Sequence, residues 1–357
     1  MGYFISFFLI IFSFLKKDSK ILFVLMLSWM WLLFTFNYDN ADYEMYRNIY
    51  EGHYGSSEIL FSYLCRFFYN IGFSFEVFRG IYCFVCLILI GTTINKYSNS
   101  KNISLVLYFL FPFILDAVQI RHFMAISIIT YALPLLNENS KKNYIKYIIL
   151  NLIAVGFHYA TLFYFIFIFI KKLSLKKVAV ISIVLNILMI IFIKNDLIVK
   201  ILLNILPENK VNIYFISDKL KSSNLLLAQC FLIQIFIFVV IYICYYIYIK
   251  NNNQNIENNN IKNQINFFKN TLKINMIISI LNPAYYYNLD LIRIFRGISV
   301  PNYIVIGNTI DNKNSRGNLI PVLMGLFISM LMFWFLIIKM NIYSKTGYMI
   351  FNYNYMF

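Results

Sequence analysis

Residues 224–249 read NLLLAQCFLIQIFIFVVIYICYYIYI, a stretch with no charged side chain. A helix of about 20 apolar residues crosses the hydrocarbon core of a bilayer, so this stretch is predicted to span a membrane. Other apolar runs occur at 3–15, 21–36, 77–94, 103–118, 121–136, 145–157, 159–170, 178–193, 272–289, 291–310 and 318–338. Several are short for a straight span. We therefore predict an all-α, polytopic membrane protein of about 10–12 transmembrane helices, with short, broken or re-entrant helices on the extracytoplasmic side.

The composition excludes a soluble globular protein. Of the 357 residues, 61% are hydrophobic and only 13% are charged, about half the charged fraction of a soluble domain. The net charge of +16 could suggest nucleic acid as a partner. The lysines, however, lie mostly in short loops between apolar runs, which is typical of membrane topology rather than of a nucleic-acid surface. We predict no nucleic-acid partner.

Lysine residues cluster in every second loop, and this pattern predicts the orientation of the chain in the membrane. The clusters are Lys16, Lys17 and Lys20; Lys96 and Lys101; Lys141, Lys142 and Lys146; and Lys171, Lys172, Lys176 and Lys177. By the positive-inside rule these loops are cytoplasmic. The chain is predicted to form one transmembrane domain over 1–357, with extracytoplasmic loops at 37–76 and 194–223. Residues 250–270, rich in Asn, are predicted to be a cytoplasmic linker.

Arginine is distributed in the opposite way to lysine. Six of the seven arginines map to extracytoplasmic loops or outer helix ends, and Arg316 alone is assigned to the inside; the six are Arg47, Arg66, Arg79, Arg121, Arg293 and Arg296. The guanidinium group offers a rigid fork for phosphate or carboxylate. The distribution favours an extracytoplasmic anion site, although each arginine could instead snorkel to the interface or pair with an acid.

The first extracytoplasmic loop concentrates acids and tyrosines. Residues 37–47 read NYDNADYEMYR, which predicts an amphipathic helix or turn. Asp39 or Asp42 could act as a general base, hold a divalent metal or bind sugar hydroxyls, while Tyr43 or Tyr46 stacks on the sugar. The alternative is a solvated acidic loop that balances nearby arginines. Glu58 then opens a half-apolar run, EILFSYL, that fits a re-entrant or interfacial segment.

Two further sites combine polar residues with breaks in the apolar pattern. In DAVQIRHFMA, residues 116–125, Arg121 is predicted to start a helix, a favourable place for a diphosphate, with His122 beside it. The alternative is a hairpin turn capped by Asp116. His158 in GFHYAT lies between two short apolar runs, where a neutral imidazole could deprotonate a sugar hydroxyl or simply join two helices by a hydrogen bond. Arg293 and Arg296 are spaced to face one side of a helix and clamp a phosphate.

In order and spacing, these motifs resemble the EpsG family of Wzy-type polysaccharide polymerases. The elements that match are the Asp/Tyr-rich first loop (Asp39 to Tyr46), Glu-x-x-Phe (Glu58 to Phe61), Ile-Arg-x-x-x-Ala (Ile120 to Ala125) and Phe-His-Tyr-Ala-Thr (Phe157 to Thr161). The agreement covers about residues 35–175, with weaker support from Arg293 and Arg296. His122 is a departure, because the family usually has Gln after this Arg.

The resemblance implies a glycosyltransferase that polymerises capsule, exopolysaccharide or O-antigen repeat units. The substrate would be an undecaprenyl-diphosphate-linked oligosaccharide, and the protein would be a multi-pass protein of the bacterial inner membrane with its active site facing the periplasm or exterior. Catalytic candidates are His158, Asp39 and Asp42, and candidate substrate or diphosphate binders are Arg121, Arg293, Arg296, Glu58, His122 and Tyr43. We assign no cofactor and no metal site. A chain-length regulator and a flippase are candidate protein partners.

Three other functions stay open at the level of sequence. A GT-C type glycosyltransferase that uses polyprenyl-phosphate sugars would rely on Asp39 or Asp42 and would add one sugar. A lipid-linked oligosaccharide flippase or other transporter should carry charged residues in a central cavity and often shows internal repeats, and no such repeat is evident here. An acyltransferase would use His158 as base, but acyl-CoA would need a cytoplasmic route.

Overall fold

The computed structural model describes the chain except for residues 138–139, 196, 205–210, 213–222, 253–258, 311–318 and 340–349. The described residues are mainly helical and contain no β-strand, and Asn37 and Asn354 form an isolated bridge. The predicted all-α class is confirmed. Most of the loop predicted at 194–223, and Arg316, lie outside the described residues.

Short helices alternate with long ones along the chain. The α-helices are α1 Gly2–Leu15, α2 Lys20–Thr35, α3 Tyr43–Tyr50, α4 Ile59–Asn70, α5 Phe75–Tyr97, α6 Lys101–Leu110, α7 Phe113–Val118, α8 Ile120–Ala132, α9 Lys141–Phe157, α10 Leu175–Lys194, α11 Leu197–Leu203, α12 Asn224–Asn251, α13 Asn259–Ile278, α14 Ile292–Arg296, α15 Ser299–Asn308 and α16 Leu319–Phe333. Further 3-10 turns occupy Leu133–Asn137, Tyr159–Lys172, Ser279–Leu281, Pro283–Tyr286 and Leu289–Leu291, and Trp334–Lys339 forms a π-helix.

Several of these helices are long and apolar enough to cross a membrane. In the described ranges four qualify by length and composition, namely Phe75–Tyr97, Ile120–Asn137, Leu175–Ile193 and Asn224–Asn251. Shorter apolar helices are found at Gly2–Leu15, Lys20–Thr35, Lys101–Leu110, Tyr159–Ile170 and Ile320–Leu336. The protein is therefore an all-α, polytopic membrane protein, as its sequence predicts. The total of 10–12 spans stays a prediction.

The segment predicted as a linker, 250–270, is partly helical. Helix α12 continues to Asn251 and α13 begins at Asn259, so of the predicted linker only residues 252–258 lie between the two helices. The reason lies in three apolar residues within the Asn-rich stretch: Ile265, Phe268 and Leu272 recur at helical spacing and are buried. The composition of the segment does not reveal this row of buried apolar residues. The cytoplasmic location of the segment stays a prediction.

The described residues divide into two compact units, and the single transmembrane domain expected over 1–357 stays a prediction. The first comprises Met1–Phe165 and Ser299–Phe357, and the second comprises Ile166–Ile298. The second is built from α10 to α14 and the 3-10 turns after α13. Each unit is described by itself below.

The first unit has two distinct ends. At the lysine end, defined by residues 16–20, 96–102 and 308–310, the side chain of Asn102 donates to the Lys16 carbonyl, and Asn308 donates to the Tyr97 carbonyl. At the loop end, defined by residues 36–58, 75–79, 120–122, 158–160 and 350–357, the N–H of Tyr355 donates to the Phe36 carbonyl. Two of the predicted cytoplasmic loops thus meet at one end, while the first predicted external loop lies at the other. Which end faces the cytoplasm stays a prediction.

A close approach between α4 and α9 fixes the loop end. A Cβ atom on Gly156 would lie 2.5 Å from Cδ1 and Cγ of Leu60. We expect Gly156→Val to destabilise the protein by about 1–3 kcal/mol, because a packed core accommodates added methyl groups poorly. The measurement is the thermal unfolding midpoint in detergent. Gly55→Ala is the matched control, since a Cβ there meets nothing within 4 Å, and an equal midpoint for both variants would contradict the expected clash.

Candidate functional site

The loop end brings four segments together around Arg121. Arg121 is the second residue of α8, and Glu58 immediately precedes α4. Tyr46 comes from α3, and His158 lies at the end of α9, where extended backbone separates this helix from the following 3-10 turn. The predicted helix start at Arg121, the predicted helix after Asp42 and the predicted break at His158 are all present.

A partly buried ion pair occupies the centre of this arrangement. Arg121 Nη1 lies 2.5 Å from Glu58 Oε2 and also donates to Ser56 Oγ at 3.4 Å. The same carboxylate oxygen accepts hydrogen bonds from the hydroxyls of Ser56 and Ser57, at 2.9 and 3.1 Å. Glu58 is only 7% exposed. Because a buried charge needs both a counter-charge and hydrogen bonds, these contacts hold the arginine and the carboxylate in fixed positions.

Aromatic rings form the other wall around the guanidinium group. The Arg121 Cζ atom lies 5.3 Å from the ring centroid of Tyr46 and 5.9 Å from that of Phe61, both in cation–π geometry. Both rings are buried. Arg121 Nε is buried and has no hydrogen-bond partner among the described residues. One donor of the guanidinium group is therefore not used by the described residues.

The environment of Glu58 makes its ionisation dependent on Arg121. Burial raises the pKa of Glu58, but Arg121 and the hydroxyls of Ser56 and Ser57 lower it below its ordinary value. A carboxyl group with a lowered pKa in the folded state stabilises the fold above its unfolded pKa. That contribution disappears as the pH falls through the folded value.

We therefore expect Glu58→Gln to lower the unfolding midpoint at neutral pH. The difference from wild type should begin to shrink as the pH falls below 4.5, the ordinary glutamate value, because the unfolded chain then takes up the proton. It should disappear below the lower pKa of folded Glu58, where the folded wild-type protein is protonated too. The measurement is the unfolding midpoint as a function of pH for both proteins. Glu51→Gln is the control, since Glu51 pairs with Arg47 at the exposed surface, where such pairs contribute little. A Glu58→Gln deficit that is the same at all pH values would contradict this account.

Two histidines meet beside the ion pair. The His122 ring, 1% exposed, stands edge-on to the His158 ring with centroids 5.1 Å apart. The backbone N–H of Ala160 donates to His158 Nδ1 at 3.2 Å. A ring nitrogen that accepts a hydrogen bond carries no proton, so the neutral His158 carries its proton on Nε2. This tautomer favours His158 as a hydrogen-bond donor over the predicted role as a base.

Tyr43 and Arg79 belong to a neighbouring, structural cluster. Arg79 is 2% exposed and donates to the backbone carbonyls of Phe34, Thr35 and Asn37 at the end of α2. Its guanidinium group lies 4.8 Å from the Tyr43 ring centroid. The Tyr43 hydroxyl donates to Glu76, and burial raises the pKa of Tyr43 to about 12. The ring that we predicted to stack on sugar is thus packed against Arg79, and Arg79 holds the first loop in place.

The remaining acids of the predicted site lie in different surroundings. Asp116 is 0% exposed inside α7, where its Oδ2 accepts from the Tyr108 hydroxyl. It does not cap α8, whose preceding residue is Gln119, so the capped-turn alternative does not hold. Asp39 and Asp42 lie in the turn before α3, where Asn37 donates to the Asp39 carbonyl. Asp42 immediately precedes α3, four residues before Tyr46.

Arg293 and Arg296 belong to the second unit. Both lie on the short helix α14. Arg293 forms an ion pair with Asp290 at 2.9 Å and donates to its carbonyl, whereas Arg296 is 4% exposed. Their predicted role as a phosphate clamp stays a prediction.

Three hydrogen bonds at or beside the ion pair are not predicted from the sequence. Ser56 and Ser57 bind the carboxylate of Glu58, and the hydroxyl of Tyr159 donates to the Ser57 carbonyl at 2.7 Å. Two serines directly before an isolated glutamate are the signal that could have indicated the first two. Within the described ranges, no group of three or more His, Cys, Asp or Glu side chains is placed to hold a metal ion.

Comparison with known proteins identifies a family for almost the whole chain. No curated protein and no solved structure matches it. The profile of the EpsG family matches residues 20–355, which extends well beyond the motifs between residues 35 and 175. The chain therefore belongs to the EpsG family, whose members are Wzy-like polysaccharide polymerases.

Proposed function

We propose that this protein joins undecaprenyl-diphosphate-linked oligosaccharide repeat units by glycosyl transfer on the outer face of the bacterial inner membrane. The observation that carries the proposal is the partly buried Arg121–Glu58 pair at the loop end of the first unit, flanked by Tyr46, Phe61 and two histidines. This end is opposite the lysine end, which the positive-inside rule assigns to the cytoplasm. Family membership supports the polymerase class.

The reaction moves a glycan chain from one lipid carrier to another. The bond between the anomeric carbon of the growing chain and the diphosphate oxygen breaks, and undecaprenyl diphosphate leaves with the bonding electrons. A hydroxyl at the non-reducing end of the incoming repeat unit forms the new glycosidic bond and loses its proton to a base. Negative charge grows on the leaving diphosphate, so a fixed guanidinium group beside it lowers the barrier. Arg121 supplies this charge.

The ion pair also links diphosphate binding to base strength. A diphosphate that engages Arg121 competes with Glu58 for the guanidinium group. When Arg121 is engaged by the diphosphate, its lowering effect on the pKa of Glu58 weakens, so that pKa rises. The released carboxylate would then accept the proton of the acceptor hydroxyl more readily. In this scheme Glu58 acts as a base only after the donor substrate is in place, which limits wasteful reaction with water.

His158 then serves as a donor beside the reacting groups. Its neutral form carries the proton on Nε2 because Nδ1 accepts from Ala160. A donor at this place can bind an oxygen of the diphosphate or of the acceptor sugar. Asp39 and Asp42 stay alternative bases, and His122 supports the orientation of the His158 ring through edge-to-face contact.

The test is the glycan profile of a deletion strain complemented with variants of this chain. We expect loss of the long-chain ladder in the deletion strain, together with retention of a complete lipid-linked repeat unit on the outer face. Wild type and Arg66→Ala, which changes an exposed arginine on α4, should restore the ladder. Arg121→Ala should not. A repeat unit that lacks a sugar would contradict polymerisation in favour of sugar addition, and complete units trapped on the inner face would indicate a flippase.

A further inference from the structure

A large cavity lies within the second unit, among α10, α12, α13 and the turns after α13. Its volume is about 690 Å³, within the range of small-molecule sites in proteins. On α10 its lining extends from Ala179 to Ile190, and on α12 from Leu227 to Phe238. Eleven residues of helix correspond to roughly 16 Å, about the thickness of one leaflet of a bilayer core. The cavity therefore has the length of a lipid chain in one leaflet.

Some polar side chains of the lining are satisfied by the helices themselves. Asn186 donates to the Ser182 carbonyl, Asn275 to the Thr271 carbonyl and Ser279 to the Met276 carbonyl. Each of these three hydrogen bonds goes to a backbone carbonyl three or four residues earlier in the chain. These side chains therefore have partners without any ligand.

Three other polar side chains of the lining have unused hydrogen-bonding atoms. Asn282 is 7% exposed, and neither its Nδ2 nor its Oδ1 has a hydrogen-bond partner among the described residues. The same holds for Oε1 of Gln234 and Oγ of Ser182, which are 6% and 4% exposed as residues. Asn282 is brought here by the break before Pro283, which starts a new 3-10 turn. Buried polar atoms without partners are costly, so this group indicates a ligand.

The chemistry of these atoms restricts the ligand. Asn282 offers one donor and one acceptor, and Gln234 adds a second acceptor. A hydroxyl group satisfies both kinds because it donates and accepts. A phosphate accepts only, and no charged residue is among the described residues that line the cavity, so a diphosphate would be buried there without a counter-charge.

We propose that this cavity binds an uncharged lipid alcohol, with its hydrocarbon chain along α10 and α12 and its hydroxyl group between Asn282, Gln234 and Ser182. The cavity is open to one side, where the apolar side chains of Ile187, Phe231 and Ile235 are exposed and would contact the chain. The hydroxyl group accepts from Asn282 Nδ2 and donates to an amide oxygen. This site is separate in chemistry from the diphosphate site proposed around Arg121. A polyprenol and a diacylglycerol both have the required chemistry.

The experiment measures binding of four labelled probes to the purified full-length protein in detergent. They are geranylgeraniol, geranylgeranyl phosphate, a hydrocarbon of the same chain without the hydroxyl, and a diacylglycerol. We expect at least one of the alcohols to bind about tenfold more tightly than the hydrocarbon and the phosphate, as one well-formed buried hydrogen bond allows. The alcohol that binds more tightly shows whether the natural ligand is a polyprenol or a diacylglycerol. Binding of neither geranylgeraniol nor the diacylglycerol more tightly than the hydrocarbon would overturn the proposal.

Two kinds of variant test the assignment of the atoms. Asn282→Leu should abolish the preference for the alcohol without lowering the unfolding midpoint, because it removes an amide that has no partner. Ser182→Ala should reduce the preference several-fold and is the milder second test. Ala228→Phe should block every probe, while Leu225→Phe, at an exposed position of the same helix outside the cavity, should block none. A full preference for the alcohol in both Asn282→Leu and Ser182→Ala would also overturn the proposal.

Discussion

Arg121→Ala is expected to lower the rate of chain polymerisation about 10²–10³-fold. This is the usual loss when one group that stabilises a developing negative charge is removed from an enzyme site. Arg121 is suited to that role because Glu58, Ser56 and the Tyr46 ring already fix its guanidinium group. The measurement is the rate of ladder formation with purified protein and lipid-linked repeat units, at equal amounts of folded protein.

Arg121→Lys separates geometry from charge at the same position. Lysine keeps the positive charge but presents a point charge on a flexible stem, with no planar fork. We expect a loss nearly as large as with alanine. Arg66→Ala should leave the rate unchanged, since Arg66 is exposed on α4. A rate for Arg121→Ala within a few-fold of wild type would contradict its role at the diphosphate.

The loss of activity in Arg121→Ala requires a control for stability, because removal of Arg121 leaves the Glu58 carboxylate without its partner. Leaving a buried carboxylate without its partner destabilises a fold, so an inactive Arg121→Ala protein could be an unfolded one. The double variant Glu58→Gln with Arg121→Gln removes both charges. We expect it to recover much of the lost stability but none of the lost activity, and recovery of activity together with stability would show that the pair is only structural.

Much of the fold follows from the sequence because its determinants are local. The apolar runs and the break at His158 depend on hydropathy and on the nearest neighbours in the chain. The breaks at Phe111 and Pro283 were not predicted, because each lies inside a continuous apolar run. The helix at 259–270 was missed because its buried stripe of Ile265, Phe268 and Leu272 is embedded among asparagines. Composition averages over a window, whereas helix formation depends on which face the apolar residues share.

The site was only partly predictable because its contacts join distant segments. Glu58 and Arg121 were both identified, but their pairing spans 63 residues, and nothing local specifies it. From the sequence, the six arginines predicted on the extracytoplasmic side can be grouped only by their location. The structure separates Arg79, which holds backbone carbonyls, from Arg121, which lies among groups suited to an anion. Such a distinction requires tertiary contacts.

His158 offers the second large effect, since its Nδ1 already accepts a hydrogen bond from the backbone N–H of Ala160. If Nε2 acts as a donor, the side-chain amide of glutamine can reach a similar position and donate in its place, whereas the amide of asparagine reaches only the position of Nδ1. We expect His158→Gln to keep the polymerisation rate within about tenfold of wild type. His158→Asn and His158→Ala should lose about 10²-fold or more.

The pattern across these variants distinguishes a donor from a base. Glutamine cannot accept a proton from the acceptor hydroxyl, so a general base at this position predicts that His158→Gln is as inactive as His158→Ala. The hydrogen bond from Ala160 to Nδ1 supports the donor. His53→Ala should be fully active, because His53 is an exposed residue near Glu51. Equal inactivity of the Gln, Asn and Ala variants, with folded protein in each case, would return His158 to the role of base and leave Glu58 as the group that orders Arg121.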